Sequence, residues 1–308
     1  MNSESITSSV TASIGIDLGG TKTESILLAP DGTVLWRDRK PTLREDGYDA
    51  VLTVVTQMIL EAVIELPAGE PYTVGVGIPG SINATTGLVR NANSTCLNGR
   101  PLKSDIERLI DRPVKIRNDA DCFTLAECHS GAGRDYGLVF GVIMGTGCGG
   151  GICIDGVVRE GPNRIAGEWG HLSVNPDGAK CYCGNRGCIE TLISGSGVET
   201  AFFQENGQRL SMEEIVSQAR TGEKRCKITF ERFLEDFGRS LGGLISILDP
   251  DAVVLGGGLS NIDELYTDGR ERVRKYVFHD NLHTPILKNQ LGDSAGVFGA
   301  AWIGQGTT

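Results

Sequence analysis

Between Glu168 and Glu190 the chain reads EWGHLSVNPDGAKCYCGNRGCIE, which holds one histidine and three cysteines, His171, Cys181, Cys183 and Cys188. Imidazole and thiolate are the donors that zinc prefers, and four protein ligands leave no open position for a catalytic water. The reading is therefore a structural zinc site. Gly184 and Gly187 let the backbone turn tightly between the thiolates. Glu168 and Glu190 flank the cluster, so a rigid knot would present hydrogen-bond acceptors suited to a polyhydroxylated ligand. A disulfide framework is the rival. It fits poorly with a long chain, no secretory leader and an odd count of nine cysteines. The other six, Cys96, Cys122, Cys128, Cys148, Cys153 and Cys226, sit among apolar neighbours and read as reduced core residues.

Three glycine clusters supply the next chemistry. The first, DLGGTKT, places Asp17, Gly19, Gly20, Thr21 and Lys22 at the tip of a hairpin. Bared amides and hydroxyl donors there make a seat for phosphate oxygens. Asp17 would oppose a phosphate unless a magnesium ion lay between them, an arrangement hard cations favour. The second cluster, GTGCGGG, follows strand 138–144 and precedes strand 151–155. Gly145, Gly147 and Gly150 formally satisfy G-x-G-x-x-G, but a dinucleotide fingerprint must open a helix, and this one opens a strand. Gly145, Thr146 and Gly147 are thus a second phosphate-facing turn. A third cluster, Gly256–Gly258, ends strand 252–255, and Ser260 or Asn261 would cap a helix directly after it. No P-loop motif is present.

For proton transfer the candidate is Asp119 in VKIRNDADCF, delivered with Asn118 from a strand over 114–117 to the start of a helix. Aspartate there is often only a cap. A strand-end Asn-Asp pair also points to where α/β sheets hold ligands, beyond the strand C-termini.

The elements that must position these groups alternate strand and helix, which indicates an α/β fold. A meander is expected over 13–18, 23–28 and 33–40, then a helix near 48–66 and a strand at 73–78. A helix pair is expected near 211–219 and 227–248, and the small-residue segment DSAGVFGAAWIG reads as a final helix. The first lobe is expected over 1–117, the second, carrying the zinc motif, over 118–291, with 292–308 returning to brace the first. At 308 residues and 40% hydrophobic, the chain can build a sizeable core. A net charge of −10 argues against nucleic acid or an anionic membrane as partner, and no apolar run approaches a transmembrane length. The polar start MNSESITSSVTA, which carries no Lys or Arg, is expected to be a disordered lead-in, and the cytoplasm the location.

DLGGTKT, GVGIPGSI, NDAD, GTGCGGG, GEWGH, CYCGNRGCIE and LGGGLSN occur in the order and spacing of a known family. The chain resembles the ROK family of sugar kinases, with their two-lobed, actin-like ATPase (ribonuclease H-like) fold and zinc insert. The segment GIPGSINATTGLVRNANSTCLNG is similar to bacterial fructokinases that also accept mannose. The resemblance implies ATP and Mg²⁺ as cofactors besides structural Zn²⁺, and phosphorylation of the fructose 6-hydroxyl with Asp119 as base. It assigns hydroxyl recognition to Gly80, Asn118, Glu168, His171 and Glu190, phosphates and magnesium to the first two turns, and adenosine to Gly256–Gly258. Mannose, glucose, allose or N-acetylglucosamine are the alternative hexoses, and a homodimer is the expected assembly. Family members that repress transcription carry a winged helix ahead of the first turn. About a dozen residues, none of them Lys or Arg, precede it here, which disfavours a repressor. A non-catalytic sugar sensor is disfavoured by the intact Asp119.

Overall fold

The computed structural model describes residues 11–305. Of the expected disordered lead-in over residues 1–12, residues 1–10 lie outside those described, while Ala12 already opens the first strand. In chain order a meander of β1 (Ala12–Leu18), β2 (Lys22–Leu28) and β3 (Val34–Pro41) leads to α1 (Tyr48–Ile64) and β4 (Tyr72–Ile78). The short strands β5 (Ser81–Ile82) and β6 (Val89–Arg90), then α2 (Leu102–Ile110), β7 (Lys115–Asn118) and α3 (Asp119–Ser130) follow. A second meander of β8 (Leu138–Met144), β9 (Cys148–Ile154) and β10 (Val157–Val158) precedes α4 (Ile189–Ile193), α5 (Gly195–Asn206), α6 (Met212–Arg220) and α7 (Lys224–Leu248). The chain ends with β11 (Ala252–Gly256), α8 (Asp268–Tyr276), β12 (Ile286–Lys288) and α9 (Ala295–Gln305).

Two compact units result. One holds the chain up to Cys122, Pro162–Arg164 and the segment from Ser294; the other holds Phe123–Gly161 and Ile165–Asp293. Each is built on a five-stranded sheet of the same plan, β3-β2-β1-β4-β7 in the first and β10-β9-β8-β11-β12 in the second. In both, an antiparallel meander is extended by two parallel strands.

In the first unit, Val51, Val55, Met58 and Ile59 recur at helical spacing along α1 and bury against Ile14, Ile16, Val74 and Val76 of the sheet. On the other side, Val297 and Ala301 of α9 pack with Ile26 and Leu28. That approach is close because Gly75 has no side chain. A Cβ there would lie 1.9 Å from Ala300 O. In the second unit, Phe233, Phe237 and Leu241 of α7 pack with Val253, Leu255 and Phe140. α7 begins at Lys224, ahead of the position expected from sequence, because the Glu223 carboxylate accepts the Cys226 N–H at 2.6 Å and caps it. Ser211 and Glu214 form a capping box on α6.

The sequence reading fails in two places. β9 starts at Cys148, so Gly149–Gly151 belong to the strand and only Gly145–Gly147 to the turn. A Cβ on Gly150 would lie 2.8 Å from Gly167 O and from Trp169 Cδ1, so those glycines serve the close approach of the GEWGH segment. No α-helix follows Gly258 directly. Gly258–Asn261 and Asp263–Leu265 are 3₁₀ turns, and α8 starts only at Asp268. Ser260 Oγ donates backwards to Gly257 O at 2.7 Å, and Asn261 Nδ2 points to Gly258 O at 3.4 Å. Neither caps a helix, because the next one starts only at Asp268. No helix among the described residues is long and apolar enough to cross a membrane.

Candidate active site

Strand register explains how the first unit assembles its chemistry. β1, β4 and β7 run parallel, with Asp17 opposite Gly77 and Gly77 opposite Arg117. Their carboxyl ends thus bring Asp17, the Pro79–Gly80 turn and Asn118–Asp119 to one edge of the sheet, where open α/β sheets hold ligands. Asn118 ties the edge together. Its Nδ2 donates to Gly80 O at 3.0 Å, and its Oδ1 accepts the Ala120 N–H at 2.8 Å. An amide has two donors and two acceptor lone pairs, so each half retains capacity for one further bond. Gly80 has φ 97, and a Cβ there would meet Arg90 O at 2.5 Å. Asp119 Oδ1 accepts the N–H of Ala120 at 2.9 Å, which orients its carboxylate at the first turn of α3.

Asp17 is the electrostatic outlier of this edge. Burial, then the fields of Asp119 and Glu24, push its carboxyl up to about 7 against the weaker pull of Lys22 and Arg39. It faces the first turn of α9, where a Cβ on Gly296 would sit 2.6 Å from Asp17 Oδ2. Nothing local in the chain signals that contact, because Gly296 is remote from Asp17. A carboxylate so disfavoured by its neighbours is a natural ligand for a divalent cation, which would restore the ionised form. The native state holds the Asp17 proton up to about pH 7, whereas the unfolded chain releases it near 3.8. The native protein therefore binds more protons across that window, and this group's stabilising contribution falls as pH rises through it. In magnesium-free buffer, Asp17→Asn is expected to flatten the decline in Tm between pH 5 and pH 8. An unchanged slope in the variant would refute the assignment.

The second unit presents its own edge. Ile143 pairs with Gly256 in the parallel register of β8 and β11, so the Gly145–Gly147 turn and the Gly256–Gly258 cluster end side by side. Gly257, at φ 75, packs against Met144 O, which a Cβ would approach to 2.4 Å. The segment after the cysteines clasps the turn. Gly195 N donates to Gly145 O at 2.8 Å and Ser196 Oγ to Thr146 O at 2.6 Å. Glu190 Oε2 accepts the Cys148 N–H at 3.0 Å, so a residue expected to serve only a ligand also braces the glycine hairpin. Ser196 was missed in the sequence. Its only local signal was the serine-glycine run ISGSG, which also reads as a plain cap.

Trp169 pins the GEWGH segment to β9, with Nε1 donating to Gly149 O at 3.0 Å and the ring edge-on to Phe140. His171 then meets the cysteines. The four candidate donor atoms of His171, Cys181, Cys183 and Cys188 lie within 4.8 Å of one another. Cys181 Sγ is 3.7 Å from His171 Nδ1, and Cys183 Sγ is 3.6 Å from Cys188 Sγ. A tetrahedron with zinc–ligand bonds of about 2.0–2.3 Å has edges of roughly 3.3–3.8 Å. The donor set and these separations fit zinc. Nδ1 is the nitrogen turned to the thiolates, and Nε2 points away to Tyr182 Oη at 3.1 Å and Glu168 Oε2 at 4.0 Å. Tyr182, exposed and edge-on to the imidazole, is a second residue that motif spacing did not flag.

Residues 13–306 match the model of the ROK family. An N-acetyl-D-glucosamine kinase from Yersinia pseudotuberculosis is 38% identical over 299 residues, covering 94% of this chain and 97% of that protein. One from Pectobacterium atrosepticum is 37% identical over the same shares. A ROK hexokinase from Thermus thermophilus superposes with a TM-score of 0.84 at 30% identity, over 94% of this chain and 96% of that one. A ROK-family glucokinase from Streptomyces griseus, crystallised with glucose and AMPPNP, gives 0.76 at 28% identity over 96% and 99%. With its paired sheets, its glycine turns and these relatives, the chain belongs to the ROK family and is a sugar kinase of the actin-like ATPase fold.

Proposed function

We propose that this protein transfers the γ-phosphoryl group of ATP to the 6-hydroxyl of N-acetyl-D-glucosamine. The observation that carries the reaction type is the first unit's sheet edge, where Asp119 stands at a strand end beside the charge-strained Asp17. The acceptor assignment is supported by the Yersinia and Pectobacterium relatives, both N-acetyl-D-glucosamine kinases matched over nearly their whole length. Fructose, expected from the GIPGSINATTGLVRNANSTCLNG segment, finds no support among them and stands as the second reading.

In the proposed reaction the sugar oxygen forms a bond to the γ-phosphorus, the β–γ bridging bond breaks, and ADP leaves. Asp119 takes the hydroxyl proton. Phosphoryl transfer passes through a loose transition state, so positioning and charge neutralisation dominate. Asn118, Gly80, Glu168, His171 and Glu190 are the residues proposed to hold sugar hydroxyls. The His171 ring would contribute Nε2 to the sugar, with Nδ1 turned to the cysteines where a zinc would be held. Gly19, Gly20, Thr21 and Lys22, with Gly145, Thr146 and Gly147, would receive phosphate oxygens, and Gly256–Gly258 the adenosine. Magnesium, when bound beside Asp17, supplies positive charge to the polyphosphate. His171, Cys181, Cys183 and Cys188 would hold a structural zinc, which when bound would supply rigidity. The cytoplasm is the proposed location. A homodimer is the proposed assembly, supported by the exposed apolar side chains Ile247 and Phe278.

The test is coupled ADP release with magnesium and ATP across N-acetylglucosamine, N-acetylmannosamine, glucose, mannose, allose and fructose. The highest kcat/KM is expected with N-acetylglucosamine. A preference for fructose would reverse the acceptor assignment, and no turnover with any sugar would sink the kinase.

A further inference from the structure

Thr42, buried just after β3, locks the first glycine turn. Its Oγ1 donates to Gly19 O at 2.8 Å and meets Thr23 Oγ1 at 3.0 Å, and its N–H donates to Thr21 O at 3.0 Å. The next residue, Leu43, takes left-handed backbone at φ 57 with no side-chain cap. A branched aliphatic residue adopts that conformation only where its surroundings impose it, and such outliers cluster at ligand clamps. Here the conformation turns the chain so that Arg44 swings back over the turn. Its Nη1 lies 3.4 Å from the position a Cβ on Gly20 would take. Arg44 Nε donates to Glu45 Oε1 at 3.1 Å, and among the described residues its terminal nitrogens have no partner.

Ser94 approaches the same point from another segment. Its Oγ is 3.9 Å from that Cβ position, the residue is 1% exposed, and the hydroxyl has no hydrogen-bond partner. A buried hydroxyl left unpaired is uncommon and calls for a ligand. A guanidinium fork and a hydroxyl converging on the open face of a glycine turn match the non-bridging oxygens of a phosphoryl group.

We propose that Arg44 and Ser94, facing Gly20, form a seat for a terminal phosphoryl group, and that both are positioning residues for its transfer. This rests on the phosphoryl-transfer reading above. The group is the γ-phosphate of ATP or the phosphate of the sugar product, which share that chemistry. Neither side chain gains or loses a proton in the step.

Calorimetry on the full chain with magnesium separates the sources, using AMPPNP, ADP and N-acetylglucosamine 6-phosphate as probes. If the γ-phosphate occupies the seat, Arg44→Ala weakens AMPPNP at least about ten-fold and leaves ADP unchanged, since a charge-assisted pair is lost. If the product phosphate occupies it, the sugar phosphate weakens instead. In either case kcat falls about 10²–10³-fold, as when one preorganised donor is removed from a developing charge, and Arg44→Lys restores part of it. Ser94→Ala deletes an orphaned hydroxyl, so it leaves Tm unchanged or raised while weakening the same probe. Unchanged affinity for both phosphorylated probes in a folded Arg44→Ala protein overturns the proposal. Wild-type protein that prefers AMPPNP to ADP through Arg44, yet phosphorylates no sugar, would sink the kinase reading and leave the seat standing.

Discussion

Asp119→Asn is expected to lower kcat by about 10²–10⁴-fold, the usual worth of a positioned proton acceptor, with ATP affinity near that of the wild type. Asparagine keeps an oxygen that can accept the Ala120 N–H now bonded to Asp119 Oδ1 at 2.9 Å. The start of α3 therefore survives, and the loss is chemical rather than structural. What disappears is the basic carboxylate proposed to take the sugar proton. A second readout follows from the neighbouring acid. Asp119 is the largest of the charges that raise Asp17, so the variant should draw the Asp17 carboxyl back toward its ordinary value. The Tm decline between pH 5 and pH 8 in magnesium-free buffer should shrink with it. Single-turnover phosphoryl transfer measures the first effect and pH-dependent melting the second. A variant that retains more than a tenth of wild-type kcat would exclude Asp119 as the base.

Removal of the proposed zinc is expected to cost about 10²-fold in kcat/KM, through the sugar more than through ATP. Among the described residues, His171, Cys181, Cys183 and Cys188 are the only group with converging ligand atoms between Trp169 and α4. Without the metal, ordering of this glycine-rich segment must come from a few turns and two isolated bridges, Ser173 with Cys188 and Lys180 with Arg186. Structural zinc in small domains is worth on the order of 10 kcal/mol of ordering. The consequence reaches beyond the knot because Glu190 follows Cys188 closely and holds the Cys148 N–H at 3.0 Å. Displacing such a group by about 1 Å is enough for a hundred-fold loss. Cys188→Ser, or treatment with a strong chelator, should release one zinc per chain, lower Tm and raise the sugar KM. Metal analysis and kinetics on the same sample decide it. Metal-free protein with full activity and an unchanged Tm would show that the knot stands on its own hydrogen bonds.

Much of this was legible in the chain because it is local. Ligand types and spacing pointed to the zinc set, hairpin signals located the two meanders, and a strand-end Asn-Asp placed Asp119 at the start of α3. Local reading faltered where one residue type serves several geometries. The glycines after Cys148 looked like more of the turn, yet they lie in β9 and admit Gly167 and Trp169. Ser260 looked like a cap and instead bonds backwards. The sugar preference was also out of reach, since hydroxyl-binding residues are shared among hexose kinases.

By itself the sequence determined most of the elements and the family and singled out a candidate metal-ligand set, all of which depend on residue type and short spacing. Only the tertiary structure decided which of them meet. The parallel register of β1, β4 and β7 aligns Asp17 with the start of α3, and the bare Cα of Gly75 and Gly296 lets α9 settle against the sheet and Asp17. The left-handed turn at Leu43 and the burial of Ser94 bring two segments about fifty residues apart over Gly20. These contacts are set by packing and hydrogen bonds between distant strands and helices, and such long-range pairings leave no periodic trace in the chain.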